Sequence, residues 1–173
     1  MSESEKKNLL QFFEKWLSRI IGYVIGILLS LMVIIVFSNV ISRYFLNSAL
    51  AWSEELSRIM LIWLVFLGSV LAYLKNEHLG LDILINIVPV KISRMIMLFS
   101  NILVVIGIAI ILYGGYSVTA FTFSTGWTSP ALAIPYGIVY MVVPFSALLL
   151  LILSFIKLKE NISGLLFVIK GGK

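Results

Sequence analysis

Few residues in this 173-residue chain could do chemistry, and they fall in two clusters. Residues 39–58, NVISRYFLNSALAWSEELSR, place Arg43, Glu54, Glu55 and Arg58 between two strongly apolar runs. His78, the only histidine, has Glu77 beside it and Asp82 four residues later. One histidine cannot build a bis-histidine haem or a multi-histidine metal site, and the absence of cysteine removes thiolate ligation. His78 with Asp82 is therefore at best a weak metal motif, and its plainer role is to orient or dock a short helix. No catalytic, cofactor-binding or metal-ligating residue is expected in the chain. No Ser-His-Asp set fits, and no phosphate loop of the GxxxxGK type is present.

The first cluster has a different chemistry available, that of charge pairing. Glu54 and Arg58 are four apart and Glu55 and Arg58 three apart, so either carboxylate can reach the guanidinium along one helix face. Ser53 reads as the N-cap. Glutamates in a first turn suit the positive end of a helix, and Arg43 suits the negative end of the preceding one. Two readings follow: ordinary interface charges with a cap, or a docking site in which Arg43, Glu54 or Glu55, and Arg58 form a network that sets the angle between two helices. Trp52 and the backbone at the turn offer further polar contacts to a neighbour.

The elements that must position these residues are membrane spans. Hydrophobic content of 61% and a mean hydropathy of +1.09 exceed what a soluble domain carries, where about 45–50% is usual. The net charge of +5 and pI near 9.5 fit membrane-flanking loops, and no basic stripe with interleaved aromatics suggests nucleic acid. Arg58 and Lys75 enclose 16 uncharged residues, about 24 Å of helix against a hydrocarbon core of about 30 Å. A span there must begin near Trp52, which places Glu54, Glu55 and Arg58 in its first two turns. At that depth they should face a cavity, a protein or one another.

The reading is an all-α integral membrane protein, a single membrane domain over 1–173 with four transmembrane helices and amphipathic interfacial helices. Spans are expected at 20–46, 52–74, 95–116 and 135–155. The first strong apolar run outlasts a signal's h-region, so the first span should be retained. Gly22 and Gly26 give the first span a small-xxx-small face, Gly68, Ser69 and Ala72 give the second a close-packing surface, and Pro144 should kink the fourth. Residues 4–19 alternate apolar and polar at helical period and read as an amphipathic interfacial helix lying on the cytoplasmic leaflet, in preference to a cytoplasmic extension of the first span. Residues 79–88 read as a second interfacial helix closed by Pro89. Of the 13 Lys and Arg, 11 fall on one side of this arrangement and two on the other, so both termini and the 75–94 loop should be cytoplasmic. Residues 39–58 and Trp127 then face outward, on the side opposite His78.

Several motifs in order resemble the small membrane subunit of tripartite ATP-independent periplasmic (TRAP) transporters. They are Arg43-Tyr44, Trp52-Ser53-Glu54-Glu55, Gly68, His78 with Asp82, Ser129-Pro130 followed by Ile134-Pro135, and Pro144, over about 20–155. The resemblance implies a noncatalytic subunit in the bacterial inner (cytoplasmic) membrane that scaffolds a large membrane subunit. That partner would hold the substrate and Na+ sites and move substrate by an elevator motion, while a periplasmic substrate-binding protein delivers an organic acid of the sialic acid or C4-dicarboxylate type. Some members fuse the two subunits; the stop at Lys173 implies a separate partner. Membrane lipid is the other partner expected, and nucleic acid is not.

Two rival readings come from other classes. A four-span enzyme using Glu54, Glu55 and His78 would need them on one side of the membrane. A homo-oligomeric exporter would want a carboxylate inside a span, whereas both lie at a span's edge.

Overall fold

The computed structural model describes residues 3–75 and 90–169, with side chains described over 12–75, 92, 93, 95–159, 161 and 162. The interfacial helix expected at 79–88, with His78 and Asp82, lies outside the described residues. Five helices account for nearly all the rest: α1 (Glu3–Phe45), α2 (Ala51–Leu74), α3 (Val90–Thr125), the short α4 (Tyr136–Tyr140) and α5 (Val142–Ile169). Among the described residues, four stretches are long and apolar enough to cross a membrane: 12–45, 51–74, 95–125 and 136–159. The all-α membrane fold therefore stands, and among the described residues the only extended pairing is one bridge between Thr128 and Pro135.

α1 is one unbroken helix of 43 residues, about 65 Å long and roughly twice the hydrocarbon thickness. The amphipathic stretch and the first span are joined within it. Nothing at the 19–20 boundary could stop a helix, since Ser18, Arg19, Ile20 and Ile21 include no proline or glycine.

α3 likewise runs on to Thr125, nine residues beyond the expected end of the third span. Gly114 and Gly115 do not divide it, because a glycine pair inside a membrane helix keeps its backbone bonds. Its cost is offset where another helix packs against it. Gly115 is such a place: a Cβ there would lie 2.7 Å from Val143 Cγ1 and 3.3 Å from Pro144 Cδ. The fourth span is interrupted near the expected proline, at Met141, between α4 and α5. Pro144 has no N–H to donate to the Tyr140 carbonyl, and its ring crowds that carbonyl, so the helix breaks one turn before it.

α3 packs along α5, α2 on α5, and α1 on α2 alone among the described helices. Ile21, Leu67, Val70, Tyr73, Val142 and Leu153 form the shared core of α1, α2 and α5. In lipid, exposed apolar side chains lose little, so association depends on close packing and on polar groups paired between helices. Both occur at the α3–α5 seam. Ser154 Oγ donates to Asn101 Oδ1 at 3.1 Å, both side chains buried. Beside them Lys157 Nζ donates to the Tyr73 carbonyl at 3.1 Å and stands 4.0 Å over the Tyr73 ring.

Candidate docking site

The charged edge is built on a tight turn from α1 to α2. Ser42 Oγ donates to the Ser48 carbonyl at 2.8 Å, and the Leu50 amide donates to Asn39 Oδ1 at 2.8 Å. Asn47 takes a left-handed φ of 48°, which asparagine tolerates better than most residues. These bonds replace the partners that the end of α1 and the start of α2 lack. Ser53, expected as the N-cap, is instead the third residue of α2. Leu50 occupies the cap position, and both the amide and the hydroxyl of buried Ser53 donate back to the Leu50 carbonyl, at 2.9 and 2.8 Å.

Across this turn Arg43 Nη2 reaches Glu54 Oε1 at 3.5 Å. The pair joins the two helix ends as their sequence separation allowed. Its side chains remain 63% and 55% exposed, so within this chain it contributes about 0–1 kcal/mol. Glu55 turns the other way. Its Oε2 accepts the backbone amides of Ala131 at 2.8 Å and Leu132 at 3.1 Å, 76 and 77 positions along the chain. Arg58 is exposed and makes no ion pair with either glutamate among the described residues. The expected three-way network is thus a single pair plus a separate clamp, because each carboxylate is already directed away from the next turn of α2.

What Glu55 clamps is a small folded loop between α3 and α4. Gly126, at φ 64°, ends α3, and the chain then pairs with itself. The Ser129 amide donates to the Ile134 carbonyl and the Tyr136 amide to the Trp127 carbonyl, each at 2.9 Å. Ala133, at φ 54°, closes the turn through its amide to the Ser129 carbonyl. Pro130 begins the tip, leaving the next two amides unpaired within the loop and aimed at one carboxylate. Trp127 stands edge-on to Phe121, and both it and Trp52 remain exposed. This edge therefore presents two indoles, the Arg43–Glu54 pair and the Arg58 guanidinium on a framework held by Asn39, Ser42 and Glu55.

Sequence reasoning placed Arg43, Glu54 and Glu55 at one end of the molecule and the structure brings them there. It missed the backbone partners of Glu55. The available signal was the uncharged, turn-rich TSPALAI segment, assigned to the same membrane side but not to that carboxylate. Nor did it identify Asn101, which follows Ser100, or Ser154, a lone polar residue in a long apolar run. Chemically, the edge can pair charge and accept hydrogen bonds. Among the described residues, no group of three or more His, Cys, Asp or Glu could hold a metal.

Residues 32–164 match the family described as "Tripartite ATP-independent periplasmic transporters, DctQ component". A TRAP transporter small permease protein of Haemophilus influenzae is 31% identical over 144 residues, covering 83% of this chain and 86% of that one. The C4-dicarboxylate TRAP transporter small permease protein DctQ of Vibrio cholerae is 30% identical over 89 residues, 47% of this chain and 38% of that one. The sialic acid TRAP transporter permease protein SiaT of Haemophilus influenzae is 33% identical over 81 residues, 47% of this chain but only 13% of that longer protein.

Proposed function

The chain belongs to the DctQ-component family of tripartite ATP-independent periplasmic transporters, and on that premise we propose that this small permease subunit is a noncatalytic scaffold for a large membrane subunit. It is a multi-pass transporter component rather than an enzyme. The observation that carries the scaffold reading is where charge sits: no ionisable Asp, Glu, Lys, Arg or His lies in 20–42, 59–74 or 95–156. A chain that coupled ions and moved substrate by itself would place such groups, or unwound backbone, near the bilayer midplane. Here they gather at the rims, as suits a packing partner. Sodium coupling and the substrate site then belong to the large subunit, in the bacterial inner membrane, with a periplasmic binding protein delivering an organic acid.

The relatives' names span C4-dicarboxylate, sialic acid, isethionate and ectoine systems, so an organic acid is the class proposed and no single one is chosen. Orientation follows the Lys and Arg bias, with both termini cytoplasmic and the Arg43–Glu54 edge periplasmic. On this reading the large subunit docks against that edge, through Arg43, Trp52, Glu54 and Arg58, while Glu55 shapes the loop beside it. His78 and Asp82 are assigned to the cytoplasmic side of the same contact. The test is co-expression with the large subunit of the same system and copurification through a tag on this chain. Stoichiometric recovery is expected; a chain that purifies alone at all detergent conditions contradicts the scaffold role.

A further inference from the structure

At the other rim, α1 and the end of α2 enclose a crevice of about 600 Å³ lined by Glu14, Lys15, Ser18, Arg19, Leu74 and Lys75. Lys15 and Arg19 are one turn apart on α1, and Lys75 faces them from the C-terminal cap of α2. Three cations thus meet one carboxylate. Among the described residues none of them is in an ion pair, the only such pair being Arg43–Glu54 at the far rim.

The level of the crevice is set by its neighbours. The uncharged runs of α1 and α2 reach it at Ile20 and Leu74, and Leu17 and Leu74 pack against the core that joins the two helices. On the same stretch of α1, Phe12, Phe13 and Trp16 are exposed, Trp16 by 54%. Aromatic side chains standing free beside lysines mark the depth at which hydrocarbon gives way to headgroups. A cationic crevice at that depth meets phosphate first.

We infer that this crevice binds the headgroup of an anionic phospholipid carrying two phosphates. The charge sets the number: Lys15, Arg19 and Lys75 against Glu14 leave two positive charges, which two phosphodiesters neutralise and a zwitterionic headgroup does not. Basic pockets between spanning helices recognise such headgroups by this arrangement. Two features oppose binding, the Glu14 carboxylate and the negative end of the α2 dipole, and Lys75 at the cap lies nearest to offset the second. The inference goes beyond the scaffold reading and needs only the membrane placement of α1 and α2, so failure of the copurification test leaves it standing.

The test uses the full chain, delipidated in neutral detergent and titrated with diphosphatidylglycerol, with phosphatidylethanolamine of matched acyl chains, and with inorganic pyrophosphate, while native mass spectrometry reads the bound fraction. Diphosphatidylglycerol should be retained in preference to the other two. Lys15→Gln, Arg19→Gln and Lys75→Gln should each weaken it about fivefold, the effect expected of one basic group at a lipid surface. Arg19→Lys should keep most of the affinity, Glu14→Gln should raise it, and Lys159→Gln, an exposed lysine on α5, should leave it unchanged. Equal retention of phosphatidylethanolamine, equal loss in Lys159→Gln, or saturation by pyrophosphate at the same concentration would overturn the assignment. So would Gln variants that keep the lipid but lose the large subunit, which would give the crevice to a protein contact.

Discussion

α1 and α5 have similar apolar sequences and opposite fates. In the spanning part of α1 only 6% of the most apolar window is buried, against 33% for the span that contains α5. Among the described helices α1 touches α2 alone, whereas α5 meets α2, α3 and α4. Hydropathy does not separate them, because each carries enough apolar surface to sit in lipid. What separates them is where small and polar residues find partners. Gly115 lies under Val143 and Pro144, and Gly137 lies under the Phe123 ring, where an added Cβ would come within 2.6 Å of the ring carbons. Gly22 and Gly26 on α1, and Gly68 on α2, have nothing within 4 Å. Gly107 and Gly114 on α3 are open as well, so the same residue type is a packing contact only where another element crosses it.

The largest effect should come from breaking the packed side. Gly115→Leu forces a side chain into the β-branched Val143 and the rigid Pro144 ring. It should lower the stability of the chain in detergent by about 1–3 kcal/mol or more, read as a fall in thermal midpoint. Gly22→Leu and Gly26→Leu should stay within about 0.5 kcal/mol of the parent. Equal destabilisation by Gly22→Leu would erase the contrast between the two regions.

The next effect concerns the clamp. Glu55→Ala removes one carboxylate from two backbone amides, so about 1–2 kcal/mol of local stability should be lost, less than for a fully buried charged hydrogen bond because Glu55 is only half-buried. Hydrogen exchange at Ala131 and Leu132 should quicken while the α3–α5 seam keeps its protection. Unchanged exchange at both amides would remove Glu55 from the role given to it.

Smaller still is the polar staple. Ser154→Ala takes the donor from Asn101 Oδ1 and should cost about 0.6 kcal/mol, the usual size of such bonds between membrane helices. Arg43→Ala should change the fold of the isolated chain least of all, by about 0–1 kcal/mol, since its pair with Glu54 is exposed. Arg43→Ala and Glu54→Ala should nonetheless weaken association with the large subunit, and the double variant should lose less than the sum if the pair acts as one contact. Parent-level association in both single variants would reduce the edge to ordinary interface charge.

What could be read from sequence follows the range of the interactions. The four apolar spans and the break near Pro144 are local, set by runs of side chains and one missing N–H, and they were legible. That Arg43 would meet Glu54 or Glu55 was legible because about 11 positions and a tight turn leave the two ends little choice, but which of the two it meets was not. Ser53 misled because a serine before two glutamates has the composition of a cap, yet the Asn39 side chain holds the Leu50 amide and starts the helix earlier. The partners of Glu55 and Asn101 lie 76 and 53 positions away, and no local pattern marks them. The glycines show the same limit, since only the fold tells Gly115 from Gly22.

The central claim, that this subunit scaffolds but does not transport, is tested most directly by reconstitution. Proteoliposomes holding this chain alone, the large subunit with this chain, or neither would be given a sodium gradient, the periplasmic binding protein and a labelled organic acid. Uptake is predicted only where both membrane subunits are present, with this chain alone matching empty liposomes. Sodium-driven uptake by this chain alone would contradict the account.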